Sequence, residues 1–509
     1  MSLDRTKLPA TLYTAEQCRA LDRTAIEQFA IPGFKLMQRA GHAAFVVMHE
    51  RWSDMRQLTV LCGGGNNGGD GFVMAVLAQA KGIAVQVVCL GDEGFADHLR
   101  GEAREAWQWM RAQGIEVEYF RPGMPFIGDV VVDAILGTGL GGEVRGLARQ
   151  AIDQLNRSGK PVLAVDIPSG LCSDTGAALG SAVCAECTVT FIGVKQGLLT
   201  HEAVDHVGQL YFDSLKLPED VYELVPVSAF RTADIDREEL LPARSRSAHK
   251  GTNGRILIVG GDLGMGGAAL MAAESAARTG AGLITLATRP EHVPAALVRV
   301  PEVMTHGISS AGQLEPLLDV ADVIVVGPGL GRGAWGQQML QRILVTKVPL
   351  VMDADALNLI CLWGIERYRR DNWILTPHPG EAGRLLERPV AQLQQNRFQA
   401  VAQLQDACGG SVILKGAGTL VTDGDALYLC DKGNPGMAAG GMGDVLSGII
   451  GALWAQGLQS VDAARMGVYL HAVAADRVAG RQGERGMMAT DLIGCLPQVI
   501  NGQQCINGN

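Results

Sequence analysis

Apolar runs of four to seven residues alternate along the first 215 residues with longer segments of helical periodicity. The runs predict strands at 58–62, 84–90, 130–136 and 162–165. The periodic segments predict helices at 14–29, 34–52, 72–81, 96–113 and 146–157, the first of them begun by a capping box of Thr14 and Gln17. Continuous apolar strands that alternate with helices are typical of a mainly parallel, doubly wound sheet.

A charged and poorly periodic stretch interrupts this alternation at residues 218–246, which predicts a connecting arm. Beyond it, apolar runs predict strands at 256–259, 283–287, 323–326, 350–352, 373–375 and 412–414. Long helices are predicted at 268–279, 392–407, 445–455 and 461–478. We therefore expect an α/β protein with two α/β/α domains, an N-terminal one at 1–217 with a Rossmann-like doubly wound sheet and a C-terminal one at 247–509.

Composition removes several classes of function. Hydrophobic residues make up 47% of the chain and charged residues 19%, which excludes an intrinsically disordered protein. A net charge of −10 speaks against binding to nucleic acid or to an anionic membrane. The N-terminus has no apolar signal segment, no apolar run is long enough to span a bilayer, and the 11 cysteines are scattered, so we expect a cytoplasmic protein with reduced thiols. The Cys184-x-x-Cys187 pair has no second ligand pair, and its role stays open.

Glycine is the most unusual component. The chain has 66 glycines, about 13% where about 7% is usual, and many of them follow the apolar runs. In the first half, residues 63–70 (GGGNNGGD) follow a predicted strand and formally satisfy GxGxxG, although a tight structural turn has the same pattern. Asp133 and Asp166 also end apolar runs, where a carboxylate is a helix cap or is paired or bound to a cation. With Asn67 and Ser169 they predict an oxygen-rich cluster suited to a hard cation.

These three loops, NNGGD, DAILGTGL and DIPSG, resemble those of the NAD(P)H-hydrate epimerases, which interconvert the R and S forms of NADHX and NADPHX, cofactors hydrated at C6 of the nicotinamide ring. The resemblance implies that Asn67, Asp133 and Ser169 hold a potassium ion and that Asp166 is the general acid–base. It implies substrate contacts for Asn66, Asn67, Gly68, Gly69, Asp70, Gly137, Thr138, Gly139, Leu140, Gly141, Gly142, Glu143 and Asp166. Lys195 either faces this site or is a solvated lysine at a strand end.

The second half contains no Walker GxxxxGK[ST] motif. It does contain Gly440-Gly441-Met442-Gly443-Asp444 directly before an apolar helix. Glycines at a helix N-terminus let backbone N–H groups surround a phosphoryl group, and Asp444 is placed to accept a proton from a substrate hydroxyl, although it is also an ordinary helix-capping residue. Five further loops with glycines or acidic residues follow other strands: GMGGA, GPGLG, DADALN, TPHPGE and KGAGT.

This set of motifs, with His249-Lys250-Gly251, resembles the ribokinase-like superfamily and, within it, the ADP-dependent NAD(P)H-hydrate dehydratases. The resemblance implies that Asp444 is the catalytic base and that Mg²⁺ accompanies ADP. It implies substrate contacts for Ala268, Gly329, His378 and Asp444. It implies nucleotide contacts for Lys415, Gly416, Ala417, Gly418, Thr419 and Gly443.

Together the two resemblances cover nearly the whole chain and match the bifunctional NAD(P)H-hydrate repair enzymes of bacteria. They imply epimerisation of R- and S-NAD(P)HX, dehydration of the S form to NAD(P)H with ADP giving AMP and phosphate, and a homo-oligomer of four or more subunits. The alternatives are a ribokinase-superfamily small-molecule kinase with an N-terminal nucleotide-sensing domain, and a cofactor-binding protein without catalysis, which an intact Asp444 disfavours. The residues do not decide between ADP and ATP or between NADHX and NADPHX.

Overall fold

The computed structural model describes residues 7–503, and the chain divides into two compact units between Phe230 and Arg231. No helix in this described range is both long and apolar enough to cross a membrane. The stretch expected to be a connecting arm, 218–246, contains two short helices and one short strand and includes the boundary between the units.

The first unit alternates strands and helices. Its strands are β1 (Thr11–Tyr13), β2 (Gln57–Cys62), β3 (Ala84–Cys89), β4 (Val117–Tyr119), β5 (Val130–Ala134), β6 (Val162–Val165), β7 (Cys187–Phe191), β8 (Val194–Lys195), β9 (Gln209–Asp213) and β10 (Ala229–Arg231). Its α-helices are α1 (Ala15–Glu27), α2 (Gly33–Arg51), α3 (Asn66–Ala80), α4 (Phe95–His98), α5 (Gly101–Ala112), α6 (Gly146–Arg157) and α7 (Glu219–Glu223). Short 3-10 helices lie at Gln196–Leu199 and His201–Asp205.

Seven strands of the first unit form a parallel sheet in the order β4-β3-β2-β5-β6-β7-β9. The chain order reverses between β2 and β5, so the loops that follow these two strands flank the crevice where ligands bind in such sheets. Both faces are covered by apolar clusters, one of them built mainly from α1, α2, α3 and α5. The predicted doubly wound fold of this half is confirmed.

The second unit repeats the alternation with its own elements. Its strands are β11 (Arg255–Val259), β12 (Leu283–Thr288), β13 (Met304–Gly307), β14 (Val323–Val326), β15 (Leu350–Met352), β16 (Trp373–Leu375), β17 (Ser411–Leu414), β18 (Thr419–Thr422) and β19 (Leu427–Cys430). Its α-helices are α8 (Asp234–Leu240), α9 (Gly266–Thr279), α10 (Val293–Arg299), α11 (Glu315–Leu318), α12 (Ala334–Leu344), α13 (Ala354–Trp363), α14 (Pro379–Leu385), α15 (Val390–Gln395), α16 (Arg397–Cys408), α17 (Met442–Ala455), α18 (Ser460–Gln482) and α19 (Ala489–Ile500). Short 3-10 helices lie at Lys250–Asn253, Pro290–His292, Ala311–Gln313, Ile365–Tyr368 and Pro435–Met437.

These strands pair in the order β13-β12-β11-β14-β15-β16-β17-β18-β19, parallel as far as β17 and antiparallel beyond it. The chain order reverses between β11 and β14, which places the loops after those strands, GDLGMGG and GPGLG, at the switch point. Helices α9, α17, α18 and α19 supply most of the apolar cluster on one face. This arrangement confirms the expected second α/β/α half.

The predicted helices are confirmed with four main differences, two in where a helix begins and two in its continuity. The capping box of Thr14 and Gln17 is present, with both hydrogen bonds made. Helix α3 begins at Asn66 rather than near residue 72, and α17 begins at Met442 rather than at residue 445, so both glycine-rich motifs form first helical turns instead of loops. The helix predicted at 96–113 is broken before Gly101, which has φ +49°, a conformation that favours glycine. The helix predicted at 392–407 is likewise broken, at Asn396.

Candidate functional site

A cavity of about 870 Å³ opens in the first unit beyond the carboxyl ends of β2, β5 and β6. Its wall includes Gly63–Asn67 and Asp70 after β2, Gly137–Gly141 after β5, and Asp166 after β6. Helices α1 and α2 supply another part of the cavity wall. The volume lies in the range of sites for cofactor-sized ligands, so the three glycine-rich loops surround one pocket.

Asp166 is held by a buried lysine. Lys195, with its side chain 3% exposed, donates to Asp166 Oδ1 and also to Thr190 Oγ1 (3.1 Å) and the Phe191 carbonyl (3.1 Å). The Thr190 hydroxyl and the Phe191 N–H donate to the same oxygen, and among the described residues no donor reaches Oδ2. Asp166 has φ +64°, an uncommon conformation for a residue other than glycine. The carboxylate of Asp166 therefore lines the cavity and is anchored through one oxygen. Of the two positions that the sequence left open for Lys195, the structure shows the one at this site, where the side chain is buried.

Asp133 and Ser169 form a fully buried cluster beside the same loops. The Ser169 hydroxyl donates to Asp133 Oδ1 (2.6 Å) and its N–H to Oδ2 (2.7 Å), while the Leu136 N–H donates to Ser169 Oγ (2.8 Å). Asn67 donates to the Leu136 carbonyl (2.9 Å), and its buried Oδ1 has no hydrogen-bond partner within the described part of the chain. Burial raises the pKa of Asp133 to about 6, against the hydrogen bonds from Ser169.

The donor types in this cluster fit a hard cation such as potassium. A buried carboxylate without a cationic neighbour, an unpartnered amide oxygen and a hydroxyl are all oxygen ligands. Within residues 7–503, no group of three or more His, Cys, Asp or Glu side chains is placed to hold a metal ion, so a cation here would depend on Asn67 and Ser169 as well as on Asp133. The thiols of Cys184 and Cys187 are free.

Four of the remaining predicted contacts do not line the cavity. Gly68 packs so closely that a Cβ there would lie 1.9 Å from the Gly63 carbonyl oxygen, and a Cβ on Gly69 would meet Met37. Gly142 and Glu143 are exposed, and Glu143 pairs with Arg145. The first two thus allow α3 to approach its neighbours, and the last two lie beyond the cavity wall.

Four further carboxyl groups line the cavity, those of Asp22, Glu27, Asp70 and Glu102. Asp22 on α1 was not predicted from sequence, and Asp70 lies in the first turns of α3. Burial raises the pKa of Asp22 to about 6, and it raises the pKa of Asp70 well above its usual range, where the negative charges of Asp166 and Asp22 add to the effect. The only sequence signal for Asp22 was its place beside the buried stripe of the predicted helix.

In the second unit, Lys415 and Asp353 form an ion pair under the glycine-rich turn. Lys415 Nζ lies 3.0 Å from Asp353 Oδ1, and Asp353 also accepts from Thr376 Oγ1 (2.7 Å) and Ser447 Oγ (2.8 Å). Asp353 is 2% exposed; burial would raise its pKa, but Lys415 and the hydroxyls hold the pKa below the usual value. A Cβ on Gly443 would lie 3.3 Å from Asp353 Oδ2 and 3.4 Å from Lys415 Nζ. The lysine charge thus lies at the N-terminus of α17.

Asp444 is the unpaired carboxyl group of this region. It lies in the first turn of α17 after Gly441, which has φ +90°, and no described residue pairs with its side chain. Burial and the charge of Asp353 raise its pKa to about 7, and Lys415 opposes the shift. Asp444 therefore gains or loses a proton near neutral pH, as a general base requires.

The KGAGT loop is held from below by a buried arginine. Arg397, 1% exposed, donates to the carbonyls of Leu414, Lys415 and Gly418 at 3.3–3.4 Å. Burial lowers its pKa to about 10, so it remains charged at neutral pH. Thr419 closes the loop by donating to the Gly416 carbonyl (2.9 Å). Residues 415–419 thus present a fixed turn backed by positive charge.

His378 caps α14 and lies near Lys415. Its Nδ1 accepts from the Gly380 N–H (3.0 Å), and burial together with the charge of Lys415 lowers its pKa, so the ring is neutral at neutral pH. Gly329 (φ +55°) packs on α9, since a Cβ there would lie 3.1 Å from the Ala268 Cβ. Met271 of α9 in turn lies against Gly441. His378 thus lies near the pair of Lys415 and Asp353. Ala268 packs against Gly329, and the same helix, α9, contacts Gly441 of the glycine-rich turn through Met271.

Four residues that hold this site together received no role from the sequence. They are Asp353, Thr376, Ser447 and Arg397. Asp353 and Thr376 stand in motifs that were noticed, DADALN and TPHPGE, directly after strands. Ser447 follows Asp444 by three residues on α17, and Arg397 is a charged residue on the buried face of a predicted helix. A polar residue among the buried residues of a helix, as for Ser447 and Arg397, was the available sequence signal for a functional role. The partners of such a residue come from distant parts of the chain and cannot be identified from that signal.

Comparison with known proteins covers both units. A family model described as NAD(P)H-hydrate dehydratase matches residues 256–498, and one described as YjeF-related protein N-terminus matches residues 33–197. A solved ribokinase-like superfamily protein from Enterococcus faecalis is 29% identical, with a TM-score of 0.50 over 53% of this chain and 95% of that one. This likeness agrees with the ribokinase-like sheet of the second unit.

Full-length relatives carry both parts. The chain is 47% identical to the bifunctional NAD(P)H-hydrate repair enzyme of Coxiella burnetii, over 96% of this chain and 99% of that one. It is 43% identical to the enzyme of the same name from Escherichia coli, over 98% and 96% of the two chains. Because these identities extend over nearly the whole length of each chain, the chain belongs to the family of bifunctional NAD(P)H-hydrate repair enzymes.

Proposed function

We propose that this chain repairs hydrated nicotinamide cofactors in two steps. The first unit would epimerise R- and S-NAD(P)HX, and the second would dehydrate the S form to NAD(P)H, converting ADP to AMP and phosphate. Family membership supports the pair of reactions. The observation that carries the proposal is the presence in each unit of an aspartate–lysine pair beside glycine-rich strand-end loops.

In the first unit, the anchored carboxylate of Asp166 would take the proton of the C6 hydroxyl. The lining residues Asn66, Asn67 and Asp70 in the first turns of α3 and the loop at Gly137–Gly141 would hold the substrate, with backbone N–H groups at the N-terminus of α3. Asn67, Asp133 and Ser169 would hold K⁺, which would neutralise the buried Asp133 carboxylate. We propose that residues 1–217 carry the epimerase activity and residues 247–509 the dehydratase activity.

In the second unit, Asp444 would remove the proton of the 6-hydroxyl as that oxygen attacks the terminal phosphate of ADP. The N-terminus of α17 and the charge of Lys415 would stabilise the negative charge of the phosphoryl group in transfer. Phosphate would then leave C6 with its bonding electrons, assisted by the ring nitrogen, and loss of a ring proton restores the reduced nicotinamide. Because Asp353 is engaged by Lys415, Thr376 and Ser447, Mg²⁺ would be held mainly by the ADP phosphates, whose charge it would neutralise.

The decisive experiment uses the full chain, a mixture of R- and S-NADHX, and ADP with Mg²⁺. We expect recovery of the reduced-nicotinamide absorbance from both epimers and release of inorganic phosphate. Accumulation of a stable phosphoester without that absorbance would instead indicate a small-molecule kinase. Omitting K⁺ tests the ion requirement. Replacing ADP by ATP measures the nucleotide preference, and replacing NADHX by NADPHX measures the preference for the hydrated cofactor.

We also propose a cytoplasmic homo-oligomer of four or more subunits. The ten cysteines of the described range are all free thiols, which supports a reducing compartment. The oligomer follows from the family resemblance, and sedimentation analysis of the purified chain would test it.

A further inference from the structure

Asp22 lines the epimerase cavity, and the mechanism above does not use it. It lies on α1 between Cys18 and Ile26, and these three residues, spaced four apart, place one face of the helix against the cavity. Among the described residues, no hydrogen-bond donor or cation pairs with its carboxyl group. Asp166, in contrast, is paired with Lys195. The cavity thus presents an anchored carboxylate, Asp166, and on α1 a carboxyl group without a described partner, Asp22.

We propose that Asp22 is a second catalytic residue of the epimerase site, which donates a proton to the ring nitrogen while Asp166 removes the proton of the C6 hydroxyl. The inference rests on the proposed epimerase function and adds to it the second proton-transfer group.

The chemistry requires two such groups when the ring opens. C6 carries the hydroxyl and is bonded to the ring nitrogen, so opening breaks the C6–N bond and makes C6 an aldehyde. The electrons of the O–H bond form the second C–O bond, and those of the C6–N bond pass to the nitrogen, which takes up a proton. Rotation about C5–C6 followed by closure on the other face of the carbonyl reverses both transfers. Atoms and charges balance, no oxidant is needed, and the two aspartates regain their starting protonation.

The surroundings of Asp22 favour a protonated carboxyl group below about pH 6. Burial raises its pKa to about 6; Asp166 and Glu102 add to the shift, and Lys195 opposes it. Cys18 and Asp70 also lie within electrostatic reach of Asp22. A proton donor at this position should therefore lose activity as the pH rises above about 6, because the fraction that carries the proton falls.

Asp70 is the competing candidate for the same role. It lines the cavity and burial raises its pKa well above the usual range, but Asp70 is only 9% exposed and lies in the first turns of α3, among residues that pack against α2. Asp22 lies on α1, and Arg19, three residues earlier on the same helix, donates to the Thr138 carbonyl of the loop after β5 (3.5 Å). Asp22 is therefore a lining carboxyl group on a different element from Asp70 and Asp166, on a helix that contacts the loop after β5.

The test uses the full chain with Asp444→Asn, so that no dehydration consumes the epimers. Pure S-NADHX is supplied, and its approach to the R:S equilibrium is followed by chromatography from pH 5 to 9, with the enzyme-free rate subtracted. In this background, Asp22→Asn should lower kcat about 10²–10³-fold with KM changed less than about threefold, and the decline above about pH 6 should disappear. Asp22→Glu should retain that decline with an intermediate kcat. Glu16→Gln, an exposed acidic residue on the same helix, should stay within about twofold of the background.

Each other result counts against the inference. An Asp22→Asn variant with unchanged kcat, with only a raised KM, or with a reduced kcat that still declines above about pH 6 would overturn it. Disappearance of the decline in Asp70→Asn but not in Asp22→Asn would assign the role to Asp70 instead. If Asp22→Asn does not fold, Asp22→Glu decides: an intermediate kcat with the decline retained is required there, and an unchanged kcat would overturn the inference. Failure of the proposed function itself is distinguishable, because the Asp444→Asn background would then epimerise no faster than buffer.

Discussion

The two units use a buried aspartate–lysine pair in different ways. In the first unit, Lys195 pairs with Asp166, and that carboxylate itself lines the ligand cavity. In the second unit, Lys415 pairs with Asp353, which is 2% exposed and accepts hydrogen bonds at both carboxylate oxygens, while the carboxyl group at the glycine-rich turn is the unpaired Asp444.

The same kind of pair thus has two uses. In the first unit it holds the carboxylate that lines the ligand cavity, and in the second unit it holds a lysine charge beside a separate carboxyl group. A carboxylate paired with lysine is fixed in place, whereas an unpaired, half-buried carboxyl group titrates near neutral pH. In the second unit the pair fixes the lysine charge at the helix N-terminus, and we propose that a separate aspartate, Asp444, moves the proton. In the first unit the pair fixes the carboxylate that we propose as the reactive group, and carboxyl groups without a described partner, such as that of Asp22, lie elsewhere on the cavity wall. The predictions below test this contrast.

The largest expected effect is that of Asp444→Asn. The amide keeps the shape of the side chain but cannot accept the hydroxyl proton, so dehydration should fall about 10²–10⁴-fold, as expected when a general base is removed. The measurement is ADP-dependent recovery of reduced-nicotinamide absorbance from S-NADHX. Epimerisation should be unchanged, and an equal loss of both activities would contradict two separate sites.

Asp166→Ala should remove the other activity. Without the anchored carboxylate, conversion of R to S should fall about 10²–10³-fold, whereas the S epimer should still be consumed with ADP. A mixture of epimers supplied to this variant should therefore leave R-NADHX behind, detected by chromatography after the absorbance has stopped rising. Complete consumption of both epimers faster than spontaneous epimerisation allows would argue against a role for Asp166.

Lys195→Met tests the support of the reactive carboxylate. The substitution leaves the partly buried Asp166 charge unpaired, and we expect a loss of about 3 kcal/mol in the free energy of unfolding together with reduced epimerisation. Denaturant unfolding of the first unit measures the former. Lys216→Met, an exposed lysine of the same unit, is the matched control and should change stability by less than about 0.5 kcal/mol.

The smallest effect is a shift in the pH profile of dehydration. Asp444 acts as a base only after losing its proton, so kcat should rise with pH through about 7. Asp353→Asn removes a neighbouring negative charge and should move this rise to lower pH, by about half to one unit. Lys415→Met removes a positive charge and should move it to higher pH at saturating ADP. Shifts in the same direction for both variants would contradict an electrostatic influence on Asp444.

The sequence alone determined the two α/β halves and the sets of loops that carry chemistry. Apolar runs identify buried strands wherever they form, because a strand covered on both faces is apolar at successive positions. Glycine and acidic residues after those runs located the loops, since the carboxyl ends of parallel strands share one edge of a sheet. The alternation also predicted helix α1 with its capping box, whose hydrogen bonds are local.

Only the tertiary structure decided which side chains meet. Lys195 lies 29 residues from Asp166, and Lys415 lies 62 residues from Asp353; no local pattern selects these partners. Asp22 lies on a helix that is far in sequence from the strand-end loops. Arg397 contacts the KGAGT loop from a helix whose periodicity predicted only packing. Burial of a charged group depends on the whole surrounding fold, because its cost is offset only by partners that folding brings within hydrogen-bond distance.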